Sequence, residues 1–202
     1  MTSRRCTGAI LAGGRAVRMG GKPKGLELVG GRRILDRVAD ALRGATDAVI
    51  LVANDPGADQ WLPGVRVVPD LRPGHGPASG VHAALMATGT DVLVLAWDAP
   101  FVPAGLLREL RAAGESHHAG FVPPTSDSPW GFEPLCAWYA NHATSAVQSV
   151  LDTPGAGIGA MAGVVPTVRH DASSWGARDV IFLNVNTPDD LERANAIARD
   201  TR

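Results

Sequence analysis

Short apolar runs alternate with amphipathic stretches along most of this chain, and this alternation is the feature that most restricts its fold. The apolar runs have the composition of buried strands, whereas the amphipathic stretches carry apolar residues at helical spacing. Residues 34–42 show that spacing clearly, with apolar side chains at positions 34, 35, 38, 41 and 42. Strands that alternate with helices and are apolar on both faces are typical of a mainly parallel sheet. We therefore predict a single α/β domain over residues 1–202, with helices on both faces of the sheet.

The local patterns assign most of the chain to elements. Gly44, Gly89 and Gly114 are predicted to end helices, Pro103 to begin one, and Thr187 to cap the last. The predicted helices are "ILDRVADALRGA", "PASGVHAALMATG", "PAGLLRELRAAG", "HATSAVQSVLDT" and "TPDDLERANAIARD". The predicted strands are "TGAILAGG", "DAVILVAN", "VRVVPD", "DVLVLAWDAP", "AGFVPP", "EPLCAWYA", "VVPTVRHD" and "VIFLNVN", with a loop-like insertion at 124–133.

Composition excludes several classes of protein. The net charge of −1 argues against a nucleic-acid-binding protein, which usually carries a basic face. No apolar run approaches the roughly 20 residues that span a membrane, and the first apolar stretch is too short for a signal peptide. The two cysteines, Cys6 and Cys136, form no CxxC pattern, so neither a disulfide framework nor a zinc site is indicated. We expect a reduced, cytoplasmic protein.

The stretch "GAILAGGRAVRMGGKPKG" joins the first predicted strand to a loop rich in glycine and positive charge. Four cations, Arg15, Arg18, Lys22 and Lys24, fall within ten residues. Glycines after a strand let backbone N–H groups approach a phosphate closely. The stretch matches neither a Walker A loop, because Pro23 follows the lysine, nor the G-x-G-x-x-G pattern of dinucleotide sites. The loop therefore indicates an anion site of another kind, or else a glycine-rich turn with solvated cations.

Polar side chains also follow the later predicted strands. In sheets of this class, ligands bind at the carboxyl ends of the strands. Asp98 ends the strongly apolar run "VLVLAWD" and is either a Mg²⁺ ligand, since Mg²⁺ prefers hard oxygen donors, or the cap of a turn. The other polar residues at such positions are Asn54, Asp70, and the pair Asn184 and Asn186. If "VIFLNVN" is a strand, the last two side chains project to the same face.

The stretch "LAGGRAVRMGGKPKG" resembles the signature loop of nucleotidyltransferases that activate a phosphorylated small molecule with an NTP. It is most similar to the molybdenum cofactor guanylyltransferases, and the resemblance continues through Asp98-Ala99-Pro100, "GPASG", "PLCAWY" and "NVNTP". It implies a Rossmann-like, GT-A-like nucleotidyltransferase sheet. This chain departs from the family at Pro23, where aspartate is common, at Val52, where asparagine is frequent, and at Glu133, where histidine is common.

The resemblance also implies a role for each matching residue. Arg18 and Lys24 would contact the phosphates, and Asp98 would hold Mg²⁺, so these three would carry catalysis. The remaining residues would surround GTP or shape the wall on the acceptor side. The first group comprises Leu11, Ala12, Gly13, Gly14, Asn54 and Asp70, and the second comprises Gly76, Pro77, Gly80, Asn184 and Asn186.

The implied reaction is transfer of GMP from Mg·GTP to molybdopterin, with release of pyrophosphate. Its partners would be these two substrates and proteins that deliver or receive the cofactor, with no nucleic acid and no membrane. "LAGG" and "NVNTP" favour GTP, because relatives that use CTP on the same acceptor more often read "LAAG" and "DIDTP". Two alternatives stay open: a cytidylyltransferase or an enzyme with another phosphate acceptor, and a nucleotide-binding module without catalysis that serves a partner protein.

Overall fold

A computed structural model describes residues 4–13, 18–19 and 22–200. None of the helices within these ranges is both long enough and apolar enough to cross a bilayer. The strands are β1 Cys6–Ala12, β2 Arg18–Met19, β3 Lys22–Pro23, β4 Leu28–Val29, β5 Arg32–Arg33, β6 Ala48–Ala53, β7 Arg66–Val68, β8 Asp91–Ala96, β9 Phe121–Val122 and β10 Cys136–Tyr139. The helices are α1 Ile34–Arg43, α2 Pro77–Thr88, α3 Ala104–His117, α4 Thr144–Asp152, α5 Arg178–Ile181 and α6 Pro188–Asp200.

Six strands form the main sheet in the order β7-β6-β1-β8-β10-β9. β1, which is buried along its whole length, lies in the middle and pairs in parallel with β6 and β8. β7 continues the parallel arrangement beyond β6, while β10 runs antiparallel to both of its neighbours. The chain thus forms the mainly parallel α/β sheet that the sequence predicts, in a single domain.

The connections place the helices on both faces of this sheet. The crossover from β1 through α1 to β6 moves one way across the sheet, and the crossover from β7 through α2 to β8 moves the other way. Because such crossovers are right-handed, α1 and α2 lie on opposite faces. α1 packs against α3, and α2 packs against α4. The reversal of strand order falls beside β1, and a crevice opens at its carboxyl end.

Two of the predicted strands are absent. The segment "VVPTVRHD" forms only isolated bridges, which pair Thr167 with Phe121 and His170 with Pro124. Pro123, Pro124 and Pro166 have no N–H to donate, so neither β9 nor this segment can extend a regular ladder. The first two residues of "VIFLNVN", Val180 and Ile181, belong to α5, and the rest forms no strand; a short apolar run of this kind fits either helix or strand.

Gly114 does not end α3, contrary to the sequence prediction. The helix continues to His117, and His118 adopts the left-handed conformation at its end, with φ of 48°. Gly114 instead lets α3 approach the sheet, because a Cβ there would lie 2.4 Å from the ring of Trp138 on β10. That indole is fully buried. The glycine is thus explained by packing and not by helix termination.

This packing gives a test of the fold. In an open helical position, glycine to alanine stabilises by up to about 1 kcal/mol. We expect Gly114→Ala to destabilise the protein by about 2 kcal/mol, because the added methyl group overpacks a buried ring. Urea unfolding measures the difference. The control is Gly163→Ala, where a Cβ meets no atom within 4 Å; equal stability of the two variants would contradict the packing argument.

Candidate active site

A cavity of about 1030 Å³ lies at the carboxyl ends of the central strands. It is large enough for a nucleotide together with part of a second substrate. Eleven of the residues that the sequence singled out line this cavity: Leu11, Ala12, Gly13, Asn54, Asp70, Gly76, Pro77, Gly80, Asp98, Asn184 and Asn186. Residues separated by more than 170 positions in the chain therefore meet at one place, as the predicted sheet requires.

A buried cation connects the two ends of the chain at this cavity. The ammonium group of Lys24 donates a hydrogen bond to Oδ2 of Asp98 and another, of 2.7 Å, to Oδ1 of Asn186. The side chain of Lys24 is only 6% exposed and that of Asp98 only 10% exposed. Buried charges persist in proteins when they are paired and hydrogen-bonded, and both conditions are met here. The lysine that is predicted to contact phosphates thus lies beside the carboxylate that is predicted to bind a metal ion.

The backbone around Lys24 is fixed by an aromatic contact. Lys24 begins a turn of 3₁₀ helix, Lys24–Leu26, directly after β3. The ring of Trp97 lies so close to Gly25 that a Cβ there would be 2.5 Å from it. Trp97 itself stacks on Trp61, with 5.3 Å between ring centroids. The sequence suggests no chemical role for Trp97. The structure shows that its ring holds the turn that places Lys24 next to Asp98.

The asparagine pair reaches the cavity without a strand. Val185 is fully buried, and its N–H donates to the backbone oxygen of Asp98 at 2.9 Å. The residues on either side of it, Asn184 and Asn186, line the cavity. Asn186 is held further by the start of α6, where the carboxylate of Asp190 accepts its backbone N–H at 3.0 Å. Asn184 and Asn186 thus meet at the same cavity, as predicted. They are positioned by one backbone hydrogen bond and a helix cap and not by a strand.

Thr187 caps α6 as the sequence predicts. Its hydroxyl accepts the N–H of Asp190 at 3.2 Å, and the Asp190 carboxylate accepts the N–H of Thr187 at 2.8 Å. This reciprocal pair satisfies free N–H groups at the helix start. The cap fixes the turn that carries Asn186.

Asn54 and Asp70 form a second polar pair on the β6 and β7 side of the cavity. The Asn54 amide donates to the Asp70 carboxylate at 3.1 Å and accepts the Asp70 backbone N–H at 2.8 Å. Burial raises the pKa of the Asp70 carboxyl group, and the hydrogen bond from Asn54 partly opposes that shift. The pair thus presents hydrogen-bonding groups on a partly desolvated wall, where they suit a polar ligand.

The start of α2 lies beside this pair. Gly76 precedes the helix and Pro77 opens it. A Cβ on Gly80 would lie 3.3 Å from Leu11 and 3.5 Å from an Asp70 carboxylate oxygen. The glycine-rich loop is therefore adjacent to Leu11 and Asp70, two residues assigned to the nucleotide by resemblance.

The opposite wall contains residues that sequence reasoning missed as site residues. Trp130, Glu133 and Phe182 line the cavity; the first two precede β10, and Phe182 follows α5. The sequence marks Glu133 only as a departure from the family pattern. The usable signal was the loop-like insertion at 124–133, which the structure confirms as a loop that leads into β10.

Gly14 lies outside the described residues, and only the backbone of Arg18, in β2, is described. Within the described residues no group of three or more histidine, cysteine, aspartate or glutamate side chains could hold a metal. Cys6 and Cys136 are both buried and free of disulfide bonds.

Comparison with known proteins identifies the family. The family model described as "MobA-like NTP transferase domain" matches residues 8–161. The chain belongs to this family. It is 31% identical to the molybdenum cofactor guanylyltransferase of Desulfosudis oleivorans, with 97% of each chain covered. It is 35% identical to the one of Cereibacter sphaeroides, with 96% of this chain and 98% of the relative covered.

A solved structure agrees with this assignment. The molybdopterin-guanine dinucleotide biosynthesis protein A of Archaeoglobus fulgidus superimposes with a TM-score of 0.79 at 26% identity, covering 96% of this chain and 99% of that one. As a MobA-like NTP transferase, the protein is a nucleotidyltransferase enzyme, and the alternative of a nucleotide-binding module without catalysis is set aside. The matched range contains Lys24 and Asp98, whereas Asn184 and Asn186 lie beyond it.

The ion pair of this MobA-like protein can be tested by stability alone. Asp98→Asn leaves the Lys24 charge buried without its counter-charge, so we expect a loss of about 3 kcal/mol of unfolding free energy. Adding Lys24→Met removes the stranded charge and should restore at least half of that loss. Urea unfolding of the two single variants and the double variant completes the cycle. Purely additive effects would show that the two side chains are not coupled.

Proposed function

We propose that this protein transfers GMP from GTP to molybdopterin, and that residues 1–202 act as one nucleotidyltransferase domain. The observation that carries the proposal is the buried Lys24–Asp98–Asn186 group at the carboxyl edge of the sheet. Asp98 and Asn186 line the cavity, and Lys24 lies buried behind them. The names of the relatives supply the substrates, because both are called molybdenum cofactor guanylyltransferases.

The cavity divides naturally between the two substrates. Leu11 and Ala12 end the central strand and Gly13 follows it, while Asn54 and Asp70 follow β6 and β7 on one side of it. We assign GTP to this half, with its base or ribose against the Asn54–Asp70 pair. The closeness of Gly80 to Leu11 and Asp70 also supports placing the loop Gly76–Gly80 against the nucleotide. The acceptor then enters from the side of β8 and β10, where Asn184 and Asn186 lie.

The chemistry needs no nucleophile from the protein. An oxygen of the terminal phosphate of molybdopterin attacks the α-phosphorus of GTP, the bond to the β-phosphate oxygen breaks, and pyrophosphate leaves with that electron pair. Two anions must approach one another, so positive charge fixed in advance lowers the barrier. Lys24 supplies such a charge as a compact ammonium group, and Arg18 is proposed to hold further phosphate oxygens with its planar fork.

The residues present fit a divalent cation, for which we propose Mg²⁺. Asp98 offers a carboxylate, and Asn184 and Asn186 line the same cavity, with Oδ1 of Asn186 also accepting the hydrogen bond from Lys24. Oxygen ligands suit Mg²⁺, which typically takes only one or two carboxylates and completes its shell with water and substrate phosphates. The lack of a three-ligand cluster in the described ranges is consistent with that mode. When bound, the ion would neutralise charge on the phosphates.

The identity of the nucleotide is the first point to test. We expect GTP to bind more tightly than CTP, ATP or UTP in the presence of Mg²⁺. The reason is the match of "LAGG" and "NVNTP" to the guanylyl enzymes. Calorimetric titration with each nucleotide measures the preference. Equal affinity for CTP and GTP would favour the cytidylyltransferase alternative while leaving the enzyme class unchanged.

The role of Lys24 is the second point. We expect Lys24→Met to lower kcat by about 10²-fold or more, with a smaller change in the KM for GTP, because the ammonium contact strengthens as pyrophosphate leaves. Lys22→Met, on the other side of Pro23, is the matched control and should change kcat far less. Steady-state pyrophosphate release gives both constants, and circular dichroism checks folding. A larger defect in the Lys22 variant would show that Lys22, and not Lys24, contacts the phosphates.

A further inference from the structure

The loop that borders the second wall of the cavity is internally braced. The N–H of Ser126 donates to the backbone oxygen of Gly131 at 3.2 Å. The hydroxyl of Ser128 donates to the backbone oxygen of Phe132 at 2.7 Å. The N–H of Glu133 donates to the backbone oxygen of Pro124 at 3.0 Å. The backbone that carries Trp130 and Glu133 is therefore held by hydrogen bonds within the loop.

Trp130 presents an aromatic ring at the rim of the cavity. It lines the cavity yet is 53% exposed, which is unusual for a residue that can bury so much apolar area. One edge of its indole is backed by the chain, because a Cβ on Gly159 would lie 2.8 Å from Nε1. The ring is thus supported from one side while much of its surface remains free.

Glu133 presents a carboxylate three residues further on. It is half-buried and lines the cavity, with Pro134, Leu135 and Phe182 also part of the lining. Burial raises the pKa of this carboxyl group, and a hydrogen bond from Ser126 opposes the shift. A carboxylate in such surroundings has lost part of its hydration, and N–H donors of a ligand can replace the lost water contacts.

We propose that Trp130 and Glu133 form a subsite for the pterin ring of the acceptor. The indole stacks on the flat bicycle, and the two carboxylate oxygens accept hydrogen bonds from the 2-amino group and the neighbouring ring N–H. A carboxylate matches that pair of adjacent donors, as it matches the fork of a guanidinium. This inference rests on the proposed function, and it names the residues that select the acceptor.

The layout of the sheet favours the acceptor over guanine, whose edge carries a similar pair of donors. β10 begins beside the end of β8, since Cys136 pairs with Leu95. The loop that precedes it thus lies on the far side of Asp98 from β6 and β7, where the Asn54–Asp70 pair is found. A nucleotide seated on that pair with its phosphates near Lys24 leaves the Glu133 wall for the second substrate.

The test uses 6-hydroxymethylpterin as a fluorescent probe on the full chain saturated with Mg²⁺ and α,β-methylene GTP, which cannot transfer GMP. The comparison ligand is 6-hydroxymethyllumazine, in which an oxygen replaces the 2-amino group. We expect the wild type to prefer the pterin by about 10-fold, the size of a hydrogen bond to a charged group. Glu133→Gln should abolish that preference, and Trp130→Ala should weaken both ligands.

Two controls keep the outcomes distinct. Asp127→Asn makes the same chemical change on the same loop, at a carboxylate that is 76% exposed and outside the cavity lining; it should behave as wild type. The Kd for GTP should stay unchanged in Glu133→Gln, which also shows that the variant is folded.

Each remaining result has one meaning. Failure of the wild type to bind the pterin, or equal pterin affinity in wild type and Glu133→Gln, overturns the subsite. A changed GTP affinity in Glu133→Gln overturns it as well, because the carboxylate would then contact the nucleotide. Absence of GMP transfer to molybdopterin by the wild type would instead defeat the proposed function.

Discussion

The buried contact between Lys24 and Asp98 is the interaction on which the arrangement of this site depends. Removing two charges from water is expensive, and an isolated buried ion pair often contributes little to stability. This pair is satisfied further, because Asn186 accepts a second hydrogen bond from Lys24 and the backbone of Asp98 accepts one from Val185. Three distant segments thus meet at one ammonium group. In the proposed reaction, a charge held this way would already be oriented before the phosphates bind, so little reorganisation would oppose the transfer.

The topology of the sheet determines why this contact lies where two substrates can meet. β1 is central, and the chain leaves it toward β6 on one side and returns at β8 on the other. The reversal opens a crevice at the carboxyl end of β1. The Asn54–Asp70 pair follows β6 and β7, while Asp98 follows β8. In the proposed reaction, a ligand that spans the crevice would pass Asp98, the lining residue that holds Lys24, and the phosphates of the two joined molecules would lie there.

Much of this could be predicted from the sequence, for a physical reason. Residues that follow parallel strands must gather at one edge, so Asn54, Asp70 and Asp98 could be placed together without coordinates. The predictions failed where a long-range contact decides the outcome. Gly114 is explained by Trp138, which no local pattern indicates. No strand forms at 164–171, because a strand there would need N–H groups that can pair with β9 and its extension. Proline removes several of these donors. Trp130 and Glu133 lie in a loop, where periodicity carries no information about orientation.

The departures from the family pattern fall unequally on the two walls, and the structure shows why each is tolerated. Pro23 fixes the backbone just before Lys24, and the packing of Trp97 on Gly25 holds the turn that follows, so the ammonium group reaches Asp98 without the usual preceding residue. Val52 is buried within β6 beside the Asn54–Asp70 pair, which retains its reciprocal hydrogen bonds. Glu133 differs from both, because burial raises the pKa of its carboxyl group and the hydrogen bond from Ser126 opposes that shift only in part. A substitution that leaves a carboxylate short of donors inside a cavity is stable only if water or a ligand supplies them. The Lys24–Asp98 contact is therefore retained through local compensation, whereas at Glu133 we propose that a bound ligand supplies the missing donors.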